Sequence, residues 1–121
     1  MRGIILAAGR GSRMGRLTDD GPKCLVKLAG HALFDWQISS IRAAGVEQLG
    51  AVTGWQGHRL ANHGVDLIEN PRWAGTNMVA SLGCASVWLE AEPCIVSYSD
   101  IFYHPEAVRS LIACPGDIAI A

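Results

Sequence analysis

Residues 6–25 read LAAGRGSRMGRLTDDGPKCL, and they continue the apolar run that starts Arg2-Gly3-Ile4-Ile5. A short, unbroken apolar run that stops at a glycine-rich polar loop predicts a buried strand, Arg2 to Ala8, with the loop leaving its carboxyl end. That is where open α/β sheets bind their ligands. Gly9 and Gly11 let backbone N–H groups approach phosphate oxygens closely. Arg10 and Arg13 add forked donors, and Lys23 supplies a mobile point charge. Together, Gly9 to Lys23 read as a triphosphate cradle.

Two familiar phosphate-binding loops do not fit. A P-loop needs GxxxxGK[ST], whereas Lys23 follows Pro22 and precedes Cys24. A dinucleotide loop needs GxGxxG opening a helix at once. Here Met14 occupies the third glycine position, Gly15, Gly21 and Pro22 block a helix, and the next strand ends in Thr53-Gly54 without a ribose-binding acid. A solvated surface turn is the plain alternative, and the added arginines and the Pro22-Lys23 pair weigh against it.

Outward from the loop, short apolar runs alternate with longer segments of helical spacing, the pattern of a mainly parallel α/β sheet. Helices are expected over Leu33 to Ala44, with Phe34, Ile38 and Ile41 on one face, briefly over Gln56 to Asn62, over Asn77 to Ala91, and from Pro105 to Ile112. The face of the Asn77 to Ala91 helix would carry Val79, Leu82, Ala85, Val87 and Leu89. Strands are expected over Gln48 to Thr53, Val65 to Glu69, Cys94 to Ser99 and Asp117 to Ala121, where the sequence stops inside an apolar run. The expectation is one domain, residues 1–121, of α/β class, with its sheet truncated after the fifth strand.

Composition narrows the partners. Ten basic and eleven acidic residues among 121 give a net charge of −1, without the broad positive field that nucleic acid or an acidic membrane calls for. No run approaches the length of a membrane span, and the amino terminus does not resemble a secretory signal. Cys24, Cys84, Cys94 and Cys114 lack CxxC spacing and read as reduced thiols of a cytoplasmic protein. His58 and His63 would not share a helix face, and His31 and His104 stand alone. A small-molecule partner is favoured.

The loop Gly9-Arg10-Gly11-Ser12-Arg13-Met14-Gly15 with Pro22-Lys23 resembles the signature of the nucleoside-triphosphate transferases that activate sugar phosphates, phosphocholine and aminoethylphosphonate. Asn70-Pro71-Arg72-Trp73-Ala74-Gly75-Thr76-Asn77, leading to Ser81-Leu82, and the strand end Ser97-Tyr98-Ser99-Asp100 extend the likeness. The pattern is most similar to the bacterial phosphocholine cytidylyltransferase type. The resemblance spans the chain but only the first half of what the family has, and it implies a Rossmann-like three-layer sandwich. It places Lys23 near the α-phosphate and the incoming phosphate, and Arg13 near the departing β- and γ-phosphates. Ala7, Ala8 and Gly9, with Arg10, Gly11 and Ser12, frame the nucleotide, Asn77 and Ser81 lie beside the base, and Asp100 holds Mg²⁺. On its residue context alone, Asp100 has a second reading as the cap of the helix that follows.

The function implied is transfer of a nucleoside monophosphate, with CTP favoured, to a small phosphorylated acceptor such as phosphocholine. Two alternatives stand beside it: a sugar-1-phosphate nucleotidyltransferase using UTP, dTTP or GTP, and a nucleotide-binding module without catalysis. Because the family's second metal-binding aspartate and most of its acceptor pocket belong to its later half, the 121-residue chain by itself is expected to bind nucleotide without turnover. A homo-oligomer through the open sheet edge is also compatible with the sequence.

Overall fold

The computed structural model of the chain describes residues 1–9 and 21–121. In chain order the elements are β1 (Arg2–Ala7), β2 (Lys27–Leu28), β3 (His31–Ala32), α1 (Leu33–Ala43), β4 (Gln48–Thr53), β5 (Asp66–Glu69), α2 (Met78–Gly83), α3 (Ser86–Ala91), β6 (Cys94–Tyr98) and α4 (Pro105–Ala113). Single 3₁₀ turns cover Lys23–Leu25, Gly57–Leu60 and Trp73–Gly75.

Four of the strands form one parallel sheet in the order β5-β4-β1-β6. β1 is central, paired residue for residue with β4 from Arg2↔Gln48 to Ala7↔Thr53, and with β6 from Arg2↔Cys94 to Leu6↔Tyr98. Its side chains alternate between two cores, as a strand buried on both faces must. Ile5 and Ala7 pack with Phe34, Ile38 and Ile41 of α1 and Val108 of α4. Ile4, Leu6 and Ala8 pack with Val52, Ala85, Leu82 and Trp88 on the side of α2 and α3. The result is helix, sheet, helix: the three-layer α/β sandwich. Among the described residues no helix is long and apolar enough to cross a membrane.

Several details depart from the sequence expectation. Asp117–Ala121 forms no strand, so the described sheet has four strands rather than five, and Ile118 and Ile120 are 85% and 92% exposed. Alternating apolar residues encode the faces of a strand but not a neighbour for its edge, and among the described residues none pairs with it. The expected single helix from Asn77 is two short ones. Its ladder breaks after Gly83, where the Ala85 N–H turns back to the Leu82 carbonyl at 3.0 Å. The break re-phases the buried face: Ala85 is buried, Met78, Leu82 and Trp88 pack on the sheet, and Val79 and Val87 are exposed. The β2–β3 hairpin was not anticipated. Its two-residue loop has positive φ at both Ala29 (52°) and Gly30 (83°), and alanine hides a turn that asparagine would have announced.

At the carboxyl end of β4 the chain passes very close to that of β1. A methyl group on Gly54 would lie 2.3 Å from the Ala8 carbonyl oxygen and 2.5 Å from Cβ of Trp73. The Ala8 carbonyl is backbone and cannot swing aside. Gly54→Ala is therefore expected to destabilise the fold by about 1–3 kcal/mol, the usual scale of overpacking. The measurement is the midpoint of urea unfolding, which should fall without a change in slope.

Candidate active site

Because the sheet is parallel, the segments after β1, β4, β5 and β6 all leave from one edge. The strand order reverses between β1 and β6, which makes that gap the switch point where α/β sheets bind ligands. Ala7 and Ala8 are buried at the end of β1, and at Gly9 no atom of the described residues lies within 4 Å of where a Cβ would sit. Arg10, Gly11, Ser12 and Arg13 lie outside the described residues.

Lys23 and Asp100, 77 positions apart in sequence, meet at this edge, with Lys23 Nζ 3.4 Å from Asp100 Oδ2. Lys23 opens a 3₁₀ turn closed by the Leu25 N–H on the Pro22 carbonyl (2.9 Å) and the Val26 N–H on the Lys23 carbonyl (3.1 Å). The turn is anchored by Cys24, which is fully buried in the α1 core. Asp100 lies two residues past the end of β6. It does not cap the next helix: α4 starts at Pro105, and the cap is His104, whose Nδ1 accepts the Glu106 N–H at 3.2 Å. The capping reading of Asp100 is thereby set aside.

The segment carrying Asp100 is tied to α1. Gln37 Nε2 donates to the carbonyls of Tyr98 (2.9 Å) and Ile101 (2.5 Å), and the Ser40 hydroxyl donates to the Tyr103 carbonyl (2.8 Å). The Tyr103 hydroxyl donates back to Ser97 Oγ at 2.9 Å. Sequence reasoning missed Gln37 and Ser40, because both stand at helical spacing among Phe34, Ile38 and Ile41. Two buried polar residues on an apolar stripe are the signal that was available.

A second tied loop lies over β4 and β5. The Asn70 N–H donates to the Thr53 carbonyl at 2.8 Å. Buried Asn70 Nδ2 donates to Thr76 Oγ1 and Ser81 Oγ, both at 3.1 Å, and its Oδ1 accepts the Arg72 N–H at 3.0 Å. Ser81 is accordingly buried, and Asn77 caps α2, its Oδ1 accepting the Ala80 N–H at 3.1 Å. Trp73 of this loop packs in the same cluster as Ala8. The structure thus brings the Asn70–Ser81 segment beside the end of β1, with the side chains of Asn77 and Ser81 engaged in shaping it.

Comparison with known proteins matches residues 3–121 to the MobA-like NTP transferase domain. The chain belongs to this family. It is 35% identical over 130 residues to the CTP:phosphoglutamine cytidylyltransferase of Campylobacter jejuni, covering 99% of this chain and 51% of that protein. It is 31% identical over 109 residues to the N-acetylmuramate alpha-1-phosphate uridylyltransferase of Neisseria meningitidis, covering 84% and 47%. Among solved structures, the CTP:phosphocholine cytidylyltransferase of Streptococcus pneumoniae superposes with a TM-score of 0.75 at 27% identity, covering 87% of this chain and 49% of that one. The chain spans about half the length of each of these three relatives.

Burial pushes the Cys24 thiol beside Lys23 up from its ordinary 9.0 to about 12. A thiolate is thus better tolerated in the unfolded chain. The stabilisation is complete below pH 9.0 and is lost as pH rises through about 12. Exposed Cys84 and Cys114 are expected to react with a disulfide reagent at about pH 8 while Cys24 reacts only on unfolding, since the thiolate is the nucleophile. Peptide mapping after labelling would check this, and a Cys24→Ala variant should show a flatter stability profile above pH 9.0.

Proposed function

We propose that the protein transfers a nucleoside monophosphate, CMP from CTP in the first instance, to a small phosphorylated acceptor such as phosphocholine and releases pyrophosphate. The observation that carries the reading is the meeting of Lys23 and Asp100 at 3.4 Å, past the end of β6, the strand paired with the β1 that leads into Gly9. A cation and a carboxylate held together there match what phosphoryl-group transfer asks of a protein, which is charge neutralisation and alignment.

The reaction needs no protein base. An acceptor phosphate is largely dianionic at neutral pH, its second pKa being about 6, so its oxygen is already a nucleophile. That oxygen forms a bond to the α-phosphorus of the triphosphate as the bond to the β-phosphate bridging oxygen breaks, and pyrophosphate carries away the electron pair. In this reading Ala7, Ala8 and Gly9, with Arg10, Gly11 and Ser12, hold the triphosphate, Lys23 faces the α-phosphate and the incoming phosphate, and Arg13 faces the leaving β- and γ-phosphates. Asn77 and Ser81 shape the wall beside the base.

Asp100 would hold Mg²⁺. Its carboxylate is 46% exposed, and among the described residues no group of three or more His, Cys, Asp or Glu side chains could hold a metal. One carboxylate fits a hard ion that takes one or two carboxylates and fills its shell with substrate oxygens and water. When bound, Mg²⁺ supplies neutralisation of charge on the phosphate oxygens. Likeness to the Neisseria uridylyltransferase supports a second reading, transfer of UMP to a sugar 1-phosphate.

The test is pyrophosphate release by the full-length protein over a grid of nucleoside triphosphates and acceptor phosphates with Mg²⁺. Turnover with CTP and an amino-alcohol phosphate is expected. Turnover only with UTP and a sugar 1-phosphate would select the second reading, and nucleotide binding without pyrophosphate release would leave a binding module.

Lys23→Ala is expected to lower kcat by about 10²–10³ with a smaller effect on CTP binding, since charge at the reacting phosphorus acts chiefly in the transition state. A raised KM with unchanged kcat would place Lys23 in ground-state binding instead. Asp100→Asn is expected to remove most Mg²⁺-dependent activity while circular dichroism shows the fold retained, because the amide keeps size and polarity but loses the charge a hard cation requires. Full activity in that variant would return the metal role to another residue.

A further inference from the structure

We propose that Gln37 is a positioning residue for the reaction, fixing Asp100 at the site by tethering the chain on both sides of it. The inference rests on reading Asp100 as the metal-binding carboxylate. Gln37 is 1% exposed, on the face of α1 that carries Phe34, Ile38 and Ile41 into the core. A leucine or methionine would pack there without the cost of burying an amide. What the amide provides is two donors on one nitrogen, and both are used on carbonyls close to Asp100: Tyr98, two residues before it, and Ile101, one residue after it.

β6 ends at Tyr98, so the chain beyond it has no sheet ladder to hold it. The Gln37 amide replaces that ladder. Ser99, fully buried between the two tethered carbonyls, shows how closely the arc is drawn onto the core. Asp100, at the top of the arc, keeps its partly exposed carboxylate 3.4 Å from Lys23. The hydrogen bonds of Gln37 go to the backbone on both sides of Asp100, and in this proposal it acts through that backbone. Its loss should therefore appear in the metal-dependent behaviour of the site.

The experiment uses the full-length protein as wild type, Gln37→Met, Gln37→Asn and Asp100→Asn. Binding of Mn²⁺ in the presence of CTP is read from the free-ion electron paramagnetic resonance signal, beside the Mg²⁺ concentration for half-maximal pyrophosphate release and the KM for CTP at saturating Mg²⁺. Gln37→Met is expected to weaken Mn²⁺ binding and raise the Mg²⁺ requirement by about tenfold or more, the scale for losing a group that orients a metal ligand. The KM for CTP should change little. Gln37→Asn, which withdraws the amide by one methylene, should shift both in the same direction and serves if the methionine variant does not fold.

A folded Gln37 variant with wild-type Mn²⁺ affinity and Mg²⁺ requirement, while Asp100→Asn loses both, would overturn the role of Gln37 and leave the metal assignment standing. Wild-type Mn²⁺ binding and Mg²⁺ dependence in Asp100→Asn would overturn the metal assignment and this inference together. A drop in thermal stability alone, with unchanged metal behaviour, would also overturn it, since that is what a merely structural glutamine would show.

Discussion

β1 is paired in parallel on both edges and covered by helices on both faces, and the rest of the molecule is arranged around that constraint. A strand so enclosed has to be apolar throughout, and its polar continuation has to leave from the carboxyl end. Parallel pairing then obliges β4, β5 and β6 to release their loops at the same edge. Gly9, Gly54, the Asn70 loop and Asp100 come together because each follows a strand aligned with β1. Only Lys23 arrives by another route, through the turn that Cys24 pins to the α1 core.

Strand pairing delivers a loop to the right edge but does not shape it. Here the shaping is done by buried side-chain amides that satisfy backbone groups the sheet has let go. Gln37 does this for the segment after β6, and Asn70 for the segment after β5. Each amide sits at an otherwise apolar or enclosed position, where leaving a single donor or acceptor unpaired would cost about 1–3 kcal/mol. Such a residue favours the loop conformation that pairs its donors: both Gln37 Nε2 bonds are made, while Gln37 Oε1 is buried without a partner among the described residues. A leucine in the same place would add transfer free energy and lose that selectivity.

The four strands of the parallel sheet, α1 and the helix opened by Pro105 were legible in the sequence, because long buried runs and a 3.6-residue period state their own burial. The places of Asp100 and Lys23 were legible as well, one as a strand end and the other as a Pro-Lys pair. What stayed hidden depended on partners rather than on pattern. Asp117–Ala121 has the alternation of a strand and pairs with no strand among the described residues. The segment from Asn77 has helical composition, but the break after Gly83 turns Val79 and Val87 to solvent. The roles of Asn77 Oδ1 as acceptor of the Ala80 N–H and of Ser81 Oγ as acceptor from Asn70 also depend on such partners.

The same distinction explains why Gln37 escaped notice. A period count scores a glutamine among apolar residues as noise in the stripe, and only the carbonyls it meets, some 60 residues later in sequence, turn that noise into a reason. Motifs name the groups that touch phosphate, since those chemical types are few: glycine backbones, cations and a carboxylate. The groups that hold them can be any residue able to reach an open carbonyl, so they carry no signature of their own. In a fold that gathers the loops of four parallel strands at one edge, the polar residues buried on the supporting helices are where the sequence says least and the structure adds most.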